Sequence, residues 1–222
     1  MFKNFDLVLT MELIGTIAFA ISGAMVAIKK NLDILGILVL GVSTACGGGV
    51  IRDLLIGVHP PVMFKQPIYV TVAAISVGVL FFFVRFHSSS MELLESERYK
   101  DVMNFLDAIG LGIFTVVGVN SIIDGYHGRY FILMIFLGVI TGVGGGVLRD
   151  VLIHETPAVL YKHTYACASI VGALCYAKLY NCMDKLAAMV TSTLIVILMR
   201  LLAKKYKWNL PKAHNNKGQS PR

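Results

Sequence analysis

One seven-residue stretch occurs twice in this chain. Gly47-Gly48-Gly49-Val50-Ile51-Arg52-Asp53 returns as Gly144-Gly145-Gly146-Val147-Leu148-Arg149-Asp150, and each copy sits late in an apolar run long enough to span a membrane. A glycine triplet gives up roughly 3 kcal/mol of helix propensity relative to alanine. The same weakness at corresponding places in two spans predicts broken helices around a buried site, the arrangement of repeat-built transporters and channels.

The surroundings of the motif decide its solvent. Of 222 residues, 56% are hydrophobic and only 15% are charged, against about 25% charged in soluble domains. That excludes an ordinary soluble domain and predicts a polytopic membrane protein. The net charge of +7 is not a nucleic-acid signal. Much of it lies in Lys204, Lys205, Lys207, Lys212, Lys217 and Arg222, a tail without acidic neighbours that suits anionic lipid head groups on the cytoplasmic side. Cys46, Cys167, Cys175 and Cys182 match no Cys-x-x-Cys pattern and read as small apolar side chains. The first apolar run follows a segment without a positive n-region, so it reads as a retained span.

A span needs about 20 apolar residues. Seven runs qualify: about Leu7–Ile28, Ile34–Gly57, Pro67–Phe86, Phe105–Ile123, Tyr130–Ile153, His163–Tyr180 and Leu186–Leu202. Between them only Ser88–Asp101 is long, and its mixed charge suits a surface helix or loop. Placing the N-terminus outside puts Lys29, Lys30, Arg85, Arg98, Lys100, Lys162 and the basic tail in the cytoplasm. Lys3, Lys65, Arg129, Lys178 and Lys185 then lie opposite, which obeys the positive-inside rule.

The duplication extends beyond the glycines. Ile14, Gly15, Phe19 and Gly23 correspond to Ile109, Gly110, Phe114 and Gly118; Gly41 and Thr44 correspond to Gly138 and Thr141; Pro60 and Lys65 correspond to Pro157 and Lys162. Each copy holds three spans, and an odd number makes the second copy enter the membrane upside down. The expected fold is therefore an all-α integral membrane protein with seven transmembrane helices, an inverted 3+3 repeat plus one helix. A single transmembrane domain occupies 1–203, with repeat one at 7–86, repeat two at 105–180 and the seventh helix at 186–202. The segment 204–222 reads as a basic cytoplasmic tail, disordered past Trp208.

GGGVIRD and GGGVLRD, each followed by a proline and a lysine at matching distances, resemble the bacterial branch of the TRIC family, the trimeric intracellular cation channels. Bacterial relatives also carry a glycine-transporter-like domain. The resemblance covers about Leu7 to Leu202. It implies a seven-helix protomer, a homotrimer, one ion pathway per protomer, kinks at both triplets and passage of potassium and sodium. The Lys-Glu-Val motif of the animal branch is absent, so an organelle location and regulation by calcium are not carried over.

The residues themselves leave two readings of the triplets. Unwound glycine backbone would expose carbonyls to a wet cavity at Gly47, Gly48, Gly49, Gly144, Gly145 and Gly146, with hydroxyls from Thr44 and Thr141 one turn earlier. Such oxygens suit monovalent cations. Equally, Gly41, Ala45 and Gly49, and Gly138, Gly142 and Gly146, have the small-xxx-small spacing that packs helices closely without a pore.

Arg52, Asp53, Arg149 and Asp150 are costly inside a span. Adjacent helical residues point about 100° apart, so pairing across the repeats is expected, Arg52 with Asp150 and Arg149 with Asp53. Their roles divide between shaping or gating a pathway and anchoring a helix end. Lys65 and Lys162 divide between a positive gate and a lipid anchor. Glu12 and Asp107 line a vestibule or pair with an interfacial base; Ser22, Asn120 and Ser121 are polar linings or interhelical bonds. His59, His154 and Glu155 lie near the surface and do not form a metal set.

Walker, Gly-x-Ser-x-Gly and His-Glu-x-x-His patterns are absent, so an enzyme, a cofactor and a resident metal are not expected. The leading expectation is a passive monovalent-cation channel, most simply for potassium, in a bacterial inner membrane. Its alternatives are a secondary transporter of a small solute such as glycine, which an inverted repeat also suits, and a non-transporting scaffold.

Overall fold

A computed structural model of the chain describes residues 2–86, 97–126, 130–161, 164–206 and 208. All the regular structure among them is helical: α1 (Phe2–Lys29), α2 (Ile34–Leu55), α3 (Val62–Lys65), α4 (Ile68–Phe86), α5 (Glu97–Tyr126), α6 (Phe131–Leu152), α7 (Ala158–Tyr161), α8 (Thr164–Leu179) and α9 (Lys185–Lys205). Six of these, α1, α2, α4, α5, α6 and α9, are long and apolar enough to cross a membrane, and α8 is a shorter apolar helix of 16 residues. Of the 88–101 stretch, the described residues form the start of α5, so that helix begins eight residues before the expected Phe105. The expected disorder of the tail and the placement of Lys162 fall outside the described residues.

Local chemistry sets the helix ends. Asp33 caps α2, its carboxylate accepting from Gly36 N at 2.7 Å, and Asp184 caps α9 by accepting from Leu186 N at 3.1 Å. The ends of α2 and α6 repeat one another. Gly57 (φ +75°) and His154 (φ +57°) are left-handed, and the next amides, Val58 N and Glu155 N, donate to Asp53 O and Asp150 O at 2.8 and 2.9 Å. This is a Schellman-type stop, for which glycine is the unstrained residue. A proline-led turn then starts each of the four-residue helices α3 and α7, which the apolar pattern did not reveal.

The expected helix breaks are not present. Both α2 and α6 run as uninterrupted helices through their triplets. The glycines instead let the two helices cross at backbone contact. A Cβ on Gly48 would lie 2.1 Å from the carbonyl oxygen of Thr141, and one on Gly145 would lie 2.1 Å from that of Thr44. Cβ atoms on Gly47 and Gly144 would meet Leu148 and Gly48 at 2.3 and 3.0 Å. The propensity lost at a triplet is offset by interhelical packing that no larger residue permits.

The same pattern joins each crossing helix to its predecessor. Gly23 of α1 faces the Thr44 side chain, and Gly118 of α5 faces that of Thr141; Gly15 sits against Phe114, and Gly110 against Phe19. Phe19 and Phe114 lean on each other across the centre, ring centroids 5.4 Å apart. Charged pairs bind the helix ends. Lys30 meets Glu155 at 2.6 Å, Lys29 lies over the Tyr99 ring, and Lys204 pairs with Asp101. At the other end Lys185 meets Asp124 at 3.0 Å, and Tyr69 donates to Glu12.

Within one triplet the glycines are not equivalent. A Cβ on Gly49 approaches only Arg52 Nη2, at 4.0 Å. Gly48→Ala is expected to destabilise the folded protein by about 1–3 kcal/mol through overpacking against rigid backbone. Gly49→Ala should be neutral or stabilising, because alanine restores up to about 1 kcal/mol of helix propensity. Thermal unfolding of the two variants in detergent checks the contrast.

Candidate functional site

The twin Arg-Asp pairs mark two polar clusters at opposite ends of the bundle. In the first, Arg52 and Asp53 are 8% and 2% exposed. Arg52 donates from Nε and Nη2 to Asp53 Oδ1 at 3.0 and 2.8 Å, while Asp53 Oδ2 accepts from Val62 N at 2.8 Å. The aspartate thus staples the end of α2 to α3. In the second, Arg149 Nε donates to Asp150 Oδ1 at 2.9 Å, and Asp150 Oδ2 accepts from Ala158 N at 2.8 Å, stapling α6 to α7.

The expected pairing across the repeats, Arg52 with Asp150 and Arg149 with Asp53, is therefore corrected: each arginine turns back on its own neighbour. Helical spacing points adjacent side chains apart at the Cα. A long arginine nevertheless reaches back when the carboxylate is already held by the following loop. That second hold, an amide eight or nine residues downstream, was not legible in the apolar pattern.

The clusters differ in what surrounds the arginine. Arg149 Nη1 also donates to Asp107 Oδ1 at 3.0 Å and Ser22 Oγ at 2.8 Å. The other Asp107 oxygen faces Arg200 Nη2 at 3.4 Å, and that nitrogen donates to Asn104 Oδ1 at 3.1 Å. Arg200 stacks on the Tyr165 ring, 4.4 Å from its centroid. Among the described residues the Arg52 guanidinium hydrogen-bonds to Asp53 alone, and Glu12, which stands where Asp107 stands in the second copy, accepts from Tyr69. Arg200 was missed in the sequence although its signal was plain: an arginine within the last apolar run is a functional-site hypothesis by default.

A cavity opens beside each cluster. One of about 560 Å³ is lined by Glu12, Arg52, Gln66, Tyr69, Asp124 and Lys185 among others, with a constricted recess of about 40 Å³ reaching Gly49 and Phe114. The other, of about 510 Å³, is lined by Asn104, Asp107, Tyr161, Arg149, Arg200 and Lys204 among others. Along both α5 and α9 these linings sit at opposite ends. The two cavities therefore enter from opposite sides of the bundle, and the recess beside the first reaches Gly49 of the α2 triplet.

Of the expected pathway residues, the structure brings the triplets together and places Gly49 at a cavity wall. Thr44 and Thr141 are fully buried, and their hydroxyls donate to Leu40 O and Leu137 O at 2.6 Å rather than to open space. Gly146 packs under the Tyr165 hydroxyl. Lys65 is exposed at the end of α3, away from the first cluster's hydrogen bonds.

Removing one partner of a buried ion pair costs about 3–5 kcal/mol, because the other charge stays behind. Asp53→Asn should approach the low end of that range. Asp150→Asn should cost less, since Arg149 keeps Asp107. A double-mutant cycle should couple Arg149 to Asp107 and find Arg52 and Asp150 additive. Unfolding midpoints in detergent measure each.

Comparison with known proteins now bears on this geometry. The family model described as Glycine transporter matches twice, over residues 9–85 and 104–181. The chain is 36% identical over 209 residues to the UPF0126 inner membrane protein YadS of Escherichia coli K12, covering 92% of this chain and 95% of that one. Among solved structures it is similar to a prokaryotic TRIC channel in 0.5 M KCl, with 32% identity, a TM-score of 0.81 and coverage of 93% and 100%. It is likewise similar to the TRIC trimeric intracellular cation channel orthologue from Rhodobacter sphaeroides, with 30% identity, a TM-score of 0.79 and coverage of 90% and 98%. The twin motif, the paired family matches and the near-complete overlap with these proteins have one meaning: the chain belongs to the bacterial branch of the TRIC family.

Proposed function

We propose that this protein is a cation channel of a bacterial inner membrane, passing potassium and also sodium through a path inside each protomer. The observation that carries the reading is the pair of polar cavities that enter the bundle from opposite ends, one beside Arg52 and one beside Arg149. The solved structures it resembles are described as cation channels, and YadS is named an inner membrane protein.

In this reading the short helix α8 also crosses, as the sixth of seven spans, and the fold is an inverted 3+3 repeat plus α9. Support comes from reciprocal contacts: Gly48 meets Thr141 as Gly145 meets Thr44, and Gly15 meets Phe114 as Gly110 meets Phe19. The double match of one family model supports it too. The N-terminus lies outside and the C-terminus in the cytoplasm, with the basic tail against anionic lipid. The protomers form a homotrimer, as the name of the Rhodobacter sphaeroides orthologue states for that protein.

The conformation described here is the closed one. The rings of Phe19 and Phe114 meet beside the glycine crossing, where Phe19 lies against Gly145. Conduction requires α2 and α6 to part at Gly48 and Gly145, which uncovers the carbonyls of Thr44 and Thr141 to a passing ion. Neutral carbonyl oxygens suit weakly hydrated monovalent cations. Arg52, Asp53, Arg149 and Asp150 shape the field on either side, and the two Asp staples transmit loop movement to the helix ends.

Purified protein in a planar bilayer tests the reading. Discrete currents that reverse at a cation-selective potential are expected. Saturable glycine uptake without unitary currents would establish a carrier instead, and neither activity would leave a scaffold. The Phe19 contact has a magnitude. An aromatic pair contributes about 0.5–1.5 kcal/mol beyond its buried area. Phe19→Ala is therefore expected to raise open probability about two- to tenfold, read from single-channel records.

A further inference from the structure

The two carboxylates at corresponding places in the repeats are held differently. Asp107 is buried between Arg149 at 3.0 Å and Arg200 at 3.4 Å. Glu12 is half-buried, and among the described residues its carboxylate has one hydrogen-bond partner, the hydroxyl of Tyr69. Neither base in its cavity contacts it. Arg52 gives Nε and Nη2 to Asp53 at 3.0 and 2.8 Å, and Lys185 holds both oxygens of Asp124 at 3.2 and 3.0 Å. Ionisable groups within a span face a bundle interior or a water-filled cavity and mark ion pathways.

The position of Glu12 gives that acid a use. The 560 Å³ cavity and the 40 Å³ recess share Glu12, Arg52, Val62 and Tyr69 as walls. From there the cavity continues to Asp124 and Lys185, and the recess to Cys46, Gly49 and Phe114. Glu12 on α1 and Tyr69 on α4 therefore stand where the wide space narrows toward the α2 triplet, and their bond joins the two helices at that point.

We infer that Glu12 draws cations from the Arg52 cavity into the recess and so sets cation preference and throughput at that end of the path. The inference rests on the channel reading. Arg52 shares the junction, but Asp53 meets its charge there, so the carboxylate without a base decides the sign of the local field. A unit charge about 7 Å from an ion in water changes the local ion concentration by about two- to threefold at low salt. The effect falls away once salt shortens the screening length to about 3 Å, near 1 M. Tyr69 fixes the carboxylate at the narrowing, and Glu12 acts on the ion through its charge.

The test separates the charge from the bond. Glutamine still accepts from Tyr69, so Glu12→Gln removes the charge and keeps the bond; Tyr69→Phe does the converse. Single-channel conductance of the full-length protein is measured at about pH 8, well above the ordinary carboxylate range, with cations driven from the Asp124 side. E12Q should lower conductance about twofold in about 0.1 M KCl, and the deficit should vanish near 1 M. Glu12→Asp and Y69F should both conduct as the wild type does. An unchanged E12Q, a deficit that persists at high salt, or a Y69F that reproduces it would overturn the inference. A second readout does not depend on currents. With Cys167, Cys175 and Cys182 replaced by alanine, Cys46 is the one thiol left, and it lies in the recess. Silver ion, a monovalent cation, is applied as the nitrate in chloride-free medium, and free thiol is then counted with a maleimide after unfolding. Silver should consume Cys46, and E12Q should slow that reaction about twofold. A Cys46 that silver never reaches, or a rate that E12Q leaves intact, would sink the role of Glu12. Absent currents with the silver effect present would sink only the channel reading.

Discussion

The structure depends on two helices touching backbone to backbone in a solvent that offers no hydrogen bonds. Lipid is as apolar as leucine, so membrane helices do not associate by burying apolar surface from water; they associate by close packing. Gly48 and Gly145 make α2 and α6 approach so closely that a single methyl group on either would overlap a carbonyl oxygen of the other helix. Every other contact of the centre follows from that crossing. Thr44 and Thr141 present their carbonyls to it and send their hydroxyls back along their own helices. Phe19 and Phe114 close around it from the flanking helices.

A crossing built this way also explains where charge is tolerated. Arg52 and Arg149 lie one turn beyond the triplets, where the helices diverge and the cavities begin. Each aspartate neutralises its arginine with one oxygen and receives a loop amide with the other, so both partners of the pair have fixed geometry. Buried ion pairs are weak sources of stability and good devices for holding a unique arrangement. Here the arrangement held is the path of the chain from a crossing helix into the following short helix, on both sides of the bundle.

The duplication is not a copy in chemistry. Glu12 answers to Asp107 and Tyr69 to Tyr165, yet Glu12 bonds to the tyrosine while Asp107 bonds to arginines. The extra helix α9 brings Arg200 into one half only. The two related halves therefore hold their acidic groups in different ways, one through a tyrosine and the other through two arginines.

Sequence alone determined the solvent, the helical class and the duplication, because apolar run length and repeated motifs are local properties that any reader of the chain can see. It also brought the two triplets to one place, whereas the Arg-Asp pairs lie in separate clusters at opposite ends of the bundle. Tertiary structure decided what those residues do there. Glycine lowers helix propensity and also permits close approach; only the presence of a second helix at the right depth selects between a break and a crossing, and here the crossing prevails. Partner choice for Arg52 and Arg149 was likewise undecidable in the sequence, because it depends on loop amides and on an arginine from a distant helix. Those are distances between segments far apart in the chain, and no local pattern encodes them.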